Sequence, residues 1–260
     1  NLSTQELRKY TRGEAGAESE MFILRDGLED TIHVTVPRQR IKIDNVSYST
    51  ILNEKIGYIK LERFSRNATE ELRKALNELK YKKDLDGLIL DLRDNPGGLL
   101  ESAVSVSEIF VPEGSEIVST KGRNSSRSFT YKSNVEPTEP ELPLVVLINN
   151  RSASASEIVA GAIQDLDRGL ILGKRSYGKG LVQTVVDLPY DANLKLTTAR
   201  YYTPSGRCIQ RLSYDGVKNE NDTSKLDTNI FYTKNGRPVK EYKGIMPDSI
   251  IDDEDEYPEI

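Results

Sequence analysis

The sequence predicts an α/β fold for most of its length, on three features. Strand-like and helix-like patterns alternate from about residue 50 to residue 202. Two apolar runs, "LDGLILDL" (85–92) and "LVVLIN" (144–149), have the length and continuous hydrophobicity of strands buried on both faces. Each run then passes through a small-residue turn into helical spacing.

Residues 1–43 read as a separate small unit. "LSTQELRKYTRG" predicts a short helix closed by Gly13, "EMFILRDG" a strand and turn, and "DTIHVTVPRQRIKI" a longer strand. That is too little to bury a core alone. From about residue 50, "KIGYIKLERF" predicts a strand, and "TEELRKALNELKYKK" an amphipathic helix with Leu72, Leu76 and Leu79 on one face. After 85–92, "LLESAVSVSEIF" returns to helical spacing and stops before Pro112. "EIVST" and "SFTYK" follow as strands, then the Pro/Glu-rich loop "NVEPTEPELP". After 144–149 come the helix "SEIVAGAIQDL" and three strands, "GLILG", "LVQTVVDL" and "NLKLTTARYY". Residues from about 210 to 240 read as polar and irregular. "IIDDEDEYPEI" reads as a solvated acidic tail, with a calcium site as the minor alternative.

Of the 260 residues, 37% are hydrophobic and 30% charged, an ordinary globular balance. The net charge of -5 argues against nucleic acid or an anionic membrane as the main partner. No run reaches the roughly 18 apolar residues of a membrane span, and no secretory leader is read at the start. The single cysteine, Cys208, excludes an intrachain disulfide and a multi-cysteine zinc site. The single histidine, His33, sits in a strand pattern and, like Cys208, is assigned a structural role.

Three stretches carry candidate chemistry. In "NNRSASASEIVAG" (149–161) the serines 152, 154 and 156 alternate between a strand and a helix, whose free N–H groups can hold developing negative charge. Only Ser154 has glutamate three residues on, Glu157, so a capping box explains it as readily as a nucleophilic role does. A nucleophilic serine needs a base. "GKRSYGKGLVQ" (173–183) offers Lys174 and Lys179, the second flanked by Gly178 and Gly180, which predicts close backbone approach and a tight, partly dry pocket for the amine. The same stretch imitates a phosphate-binding loop, but Gly180 stands where Ser or Thr would hold magnesium and a strand follows instead of a helix, so no nucleotide is expected. In "DLRDNPGG" (91–98), N–H groups of Gly97 and Gly98 can supply half of an oxyanion hole and Ala155 N–H the other half; an ordinary turn explains the same motif.

Together these blocks resemble the C-terminal processing (tail-specific) proteases, serine peptidases that use a Ser-Lys pair. "GYIKLERFS", "GLILDLRDNPGG", "LVVLINNRSASASEIVAGAIQD", "GKRSYGKGLVQT" and "LKLTTARYYTPSGRCIQ" occur in the family's order. The resemblance implies a mixed α/β core of the crotonase/ClpP-like spiral type over residues 44–260. It places the nucleophile on Ser154, the general base on Lys179 and a supporting glutamine on Gln183. "DLRDNPGG" becomes the oxyanion-side turn, with Gly97 and Gly98 equally eligible. Residues 1–43 resemble the second half of a PDZ domain, the first half being absent from the sequence. The long segment at 211–242 has no assigned role, and "GIMPDSII" resembles the strand closing the core. The implied activity is ATP-independent endoproteolysis near protein C-termini, outside the cytoplasm in the periplasm or cell envelope. Its partners are protein or peptide substrates, with no nucleic acid, metal or cofactor; assembly into a homo-oligomer stays open. The rival reading is a non-catalytic peptide- or ligand-binding module on the same core, with Ser154 only a cap.

Overall fold

The computed structural model describes residues 3–28, 30–40, 43–123, 128–190, 192–211, 229–241 and 243–251. The chain divides into two compact units, Asn1–Ile43 and Asp44–Ile260. Of the predicted acidic tail (250–260), residues 252–260 lie outside the described residues, as do residues 212–228 of the segment without a role (211–242).

In the first unit, helix α1 (Thr4–Thr11) precedes the antiparallel strands β1 (Glu18–Ile23) and β2 (Ile32–Pro37). Ser3 starts α1 through a reciprocal box: its hydroxyl accepts the Glu6 N–H, and Glu6 Oε2 accepts the Ser3 N–H. The helix stops at Thr11, before Gly13. A Cβ on Gly13 would lie 2.7 Å from Arg38 Nη1, and Arg38 Nη2 donates to the carbonyl of Tyr10 at 2.8 Å. Gly13 therefore admits a cation to the helix's negative end, more than it terminates the helix.

The second unit runs β3 (Val46–Leu52), β4 (Ile56–Leu61), α2 (Ala68–Lys82), β5 (Gly87–Asp91), α3 (Leu100–Ser107), β6 (Glu116–Gly122), β7 (Phe129–Lys132), β8 (Leu144–Ile148), α4 (Ala155–Asp165), β9 (Leu170–Gly173), β10 (Leu181–Leu188), β11 (Ala192–Tyr202), β12 (Ile230–Tyr232), β13 (Pro238–Lys240) and β14 (Ser249–Ile250). A six-stranded sheet has the order β14-β9-β8-β5-β4-β3, parallel except where β3 pairs antiparallel with β4. A second, antiparallel sheet has the order β10-β11-β6-β7. The predicted α/β class is what the chain adopts.

The parallel strands β5 and β8 sit in the middle of the larger sheet, which is why their sequences are apolar without interruption. Helix α2 lies against β3 and β4 with Leu72, Leu76 and Leu79 buried, each worth about 1.5–3 kcal/mol of transfer from water. Every residue of α4 is buried, packed on α3, β6 and β9. A helix enclosed on all sides must satisfy its polar side chains internally. At its C-terminal end, carboxylates face the negative pole of the helix dipole, and arginines offset them. Arg207 Nη2 donates to Asp165 Oδ1 and to Gln164 Oε1, while Arg237 donates to Asp167 and Asp248.

Three strands were not expected from the sequence. Strand β3 carries an alternating pattern and turns into β4 through Asn53 and Glu54, both at positive φ (47° and 64°). The hairpin β12–β13 lies where irregular structure was expected, and it turns around Gly236 (φ 83°) in "KNGR". That Asn-Gly pair is the sequence signal that could have found it.

Candidate functional site

The site forms where two neighbouring parallel strands end, as open α/β sheets commonly arrange. From β8 the chain turns through 149–154 into α4. Ser154 occupies the cap position at φ 56° and ψ −112°, a conformation that costs an ordinary L-residue about 1–3 kcal/mol. Ser154 and Glu157 face each other as a capping box. Ser154 N–H donates to Glu157 Oε2 at 2.8 Å, while Glu157 N–H goes to the Ser154 carbonyl at 2.9 Å, so the serine hydroxyl makes no capping bond. Its neighbours differ. Ser152 Oγ donates to the Leu92 carbonyl (2.8 Å) and accepts the Asn149 N–H; Ser156 Oγ donates to the Asn95 carbonyl (2.9 Å). Of the three serines, only Ser154 has a hydroxyl with no hydrogen-bond partner among the described residues, and it stands at a strained backbone position.

The second wall is the turn after β5. Buried Asn95 organises it: Nδ2 donates to the Leu61 carbonyl, Oδ1 accepts the Gly97 N–H at 2.9 Å, and its carbonyl accepts the Ala153 N–H. Gly97 (φ 96°) lies against the serine turn, where a Cβ would meet Ala153 O at 2.6 Å, Ala155 N at 2.8 Å and Ser154 Cβ at 2.9 Å. Gly98 instead packs on Phe64, whose carbonyl a Cβ would approach to 2.1 Å. The Gly97 N–H is already engaged by Asn95. The N–H groups of Gly98 and Ala155 have no acceptor among the described residues. The peptide linking Gly97 to Gly98 thus begins at a Cα that touches the Ser154–Ala155 backbone, and its N–H is open.

At the end of β5, Asp91 is fully buried and accepts from Arg93 Nε and Nη2, from Arg93 N–H and from Tyr58 Oη at 2.6 Å. Burial alone would raise the Asp91 carboxyl, but the bonds from Arg93 and Tyr58 outweigh it and hold it below its ordinary value. Burial and the bond to Asp91 push the Tyr58 phenol up to about 12. This trio fixes the base of the turn, and sequence reading gave "DLR" no such role.

The third wall is the loop carrying Lys179, held by Glu157. This carboxylate is wholly buried and receives four donors: Ser176 Oγ (2.5 Å) and Gly178 N–H (2.6 Å) on Oε1, and Ser154 N–H and Lys179 N–H (2.8 Å each) on Oε2. One oxygen atom therefore clamps the backbones of Ser154 and Lys179 together. Burial pushes the Glu157 carboxyl up, against the pull of those four bonds. The sequence marks Glu157 only as a cap partner, because three of its donors come from a loop about twenty residues away.

The lysine's side chain departs from expectation. Lys179 is solvent-exposed, and its amine makes no hydrogen bond to the Ser154 hydroxyl. The glycines flanking it serve other contacts: a Cβ on Gly178 would meet Arg211 Cβ at 2.5 Å, and one on Gly180 would meet Gln210 N at 2.4 Å. They admit residues 209–211 beside the loop and do not enclose the amine. Gln183 is exposed at a bulge in β10 and makes no bond to Lys179. After Gly180 the chain enters β10, a strand. His33 stacks on Phe22 in the first unit, and burial pushes the Cys208 thiol up. Among the described residues, no group of three or more His, Cys, Asp or Glu side chains is placed to hold a metal, and no helix is long and apolar enough to cross a membrane.

An uncommitted serine hydroxyl at the mouth of a buried helix, with open amides beside it and a lysine loop clamped to its backbone, defines an α/β protein built around a strand–turn–helix serine site. The chain belongs to peptidase family S41, whose model matches residues 55–222. It is 43% identical over 202 residues to a carboxy-terminal-processing protease of Bartonella bacilliformis, covering 76% of this chain and 46% of that one. It is 37% identical over 214 residues to a carboxyl-terminal-processing protease of Synechocystis sp., covering 81% and 49%. Among solved structures it resembles a photosystem II D1 C-terminal processing protease, with a TM-score of 0.62 and 31% identity over 92% of this chain and 57% of that one. The chain spans about half the length of the curated relatives it matches.

Proposed function

We propose that residues 44–260 carry the core of a serine endopeptidase that cleaves protein substrates at or near their C-terminal tails, without ATP, metal or cofactor. The observation that supports this best is the shared Glu157 Oε2, which ties the backbone of a serine with a free hydroxyl to that of Lys179. In this reading neutral Lys179 takes the Ser154 Oγ proton as Oγ bonds to the scissile carbonyl carbon. The carbonyl oxygen becomes an oxyanion held by Ala155 N–H and, of the two glycines, by Gly98 N–H, since Gly97 N–H is spent on Asn95. Lys179 then returns the proton to the leaving amine as the C–N bond breaks. Water, deprotonated by Lys179, then bonds to the acyl carbon, and the lysine returns that proton to Ser154 Oγ as the acyl C–Oγ bond breaks. Lys179 and Gln183 are both exposed; in this reading bound substrate covers the amine and expels water, with Gln183 orienting it.

Residues 1–43 are read as the closing part of a PDZ domain, and the protein as working outside the cytoplasm; both rest on family likeness. Turnover of an internally quenched peptide with a free C-terminal carboxylate tests the core of the proposal. Wild type is expected to cleave. Ser154→Ala and Lys179→Ala are expected to be folded and inactive. Activity surviving Ser154→Ala, or binding without cleavage by wild type, would instead support the non-catalytic binding module.

A further inference from the structure

Glu157 is held from one side by a contact that the reaction scheme leaves unused. Ser176 is 3% exposed, and its hydroxyl is committed at both ends. It donates to Glu157 Oε1 at 2.5 Å and accepts the Ile245 N–H at 2.6 Å. With one lone pair occupied by Ile245, the hydroxyl proton is directed at the carboxylate. The Ser176 N–H also donates to the Ile245 carbonyl at 3.0 Å, so the two residues are joined twice. The approach is too close for any side chain between them. A Cβ on Gly244 (φ 125°) would lie 2.8 Å from Ser176 O and 2.9 Å from Ser176 Oγ.

The link therefore crosses the fold. Ile245 is buried in the core on the segment that leads to β14, at the edge of the parallel sheet. Ser176 stands three residues before Lys179, and Glu157 three residues after Ser154. We propose that Ser176 is a positioning residue for the Ser154–Lys179 pair, its hydroxyl latching the C-terminal segment at Gly244–Ile245 onto Glu157. Without the hydroxyl, Glu157 loses a donor in a buried site and the lysine loop keeps only the backbone half of its double tie to Ile245. The carboxylate is then free to shift from the position that clamps Ser154 and Lys179. The proposal rests on the dyad reading given above.

The test uses the full chain and the same quenched peptide, comparing wild type with Ser154→Ala, Ser176→Ala and Ser176→Thr. Displacing a reacting group by about 1 Å costs on the order of 100-fold in rate, so Ser176→Ala is expected to lower kcat by about 10- to 100-fold. Its KM should stay within about twofold of wild type, because the latch touches no substrate. Ser176→Thr, which keeps the hydroxyl, should recover most of kcat. Amide exchange at Lys179 should quicken in Ser176→Ala and not in Ser176→Thr. A kcat within twofold of wild type in Ser176→Ala overturns the latch. So does a loss that Ser176→Thr fails to restore, which would mark the site as one of packing alone. A wild type no more active than Ser154→Ala overturns the dyad reading itself.

Discussion

A methyl group at Gly97 would enter the wall of the candidate site, and the structure says how far it must push. At φ 96° an L-residue is strained by about 1–2 kcal/mol. The added Cβ would stand 2.6 Å from Ala153 O, 2.8 Å from Ala155 N and 2.9 Å from Ser154 Cβ. Two of those atoms are backbone, so no flexible side chain can swing aside. Relief to ordinary van der Waals separation moves the serine turn by about 0.5–1 Å. Overpacking of this kind adds about 1–3 kcal/mol, so Gly97→Ala is expected to lose about 2–5 kcal/mol of stability. A displacement of that size at a nucleophile costs on the order of 100-fold in kcat. Gly114→Ala is the control: its φ is also positive (80°), but nothing lies within 4 Å of the added Cβ. It should cost about 1 kcal/mol in urea denaturation and leave kcat unchanged. Kinetics on the quenched peptide and urea titrations of all three proteins decide the matter. A Gly97→Ala protein with kcat within twofold of wild type would refute the claim that Gly97 abuts the reacting serine.

Glu157→Gln replaces an all-acceptor group by one whose amide NH₂ must face N–H donors; a loss of about 1–3 kcal/mol in chemical denaturation is expected, with a sharp fall in kcat. Asp91 is held below its ordinary value, so the stability it contributes is present above about pH 3.9 and lost as pH falls through its lower folded value. Urea midpoints measured from pH 6 to pH 2 should therefore fall less steeply in Asp91→Asn, whose curve starts lower. Arg207→Ala strands the buried Asp165 carboxylate at the negative end of α4; thermal and urea unfolding should show a loss of about 3–5 kcal/mol.

By itself the sequence determined the α/β class, most of the elements and the family. Short uninterrupted apolar runs bounded by turn signals read as central strands, and an Asn-Pro-Gly-Gly turn or a Ser-x-x-Glu helix start is written in consecutive residues. Residues 46–52 and 230–240 also carry strand and turn signals, but short alternations in polar surroundings stand out weakly. The chemistry at Ser154 was not decided at that level. Cap and nucleophile share one local pattern, and only the fold shows the hydroxyl without an acceptor among the described residues while the Glu157 carboxylate takes the Ser154 N–H together with three donors from the lysine loop. Likewise, the choice between Gly97 and Gly98 depends on Asn95 taking one N–H, and the junction of Ser154 with Lys179 depends on Glu157 accepting donors from two distant segments. Local patterns fix which backbone groups seek partners. Tertiary packing decides which partners they find, because a buried donor or acceptor must be satisfied by whatever the fold brings within about 3 Å.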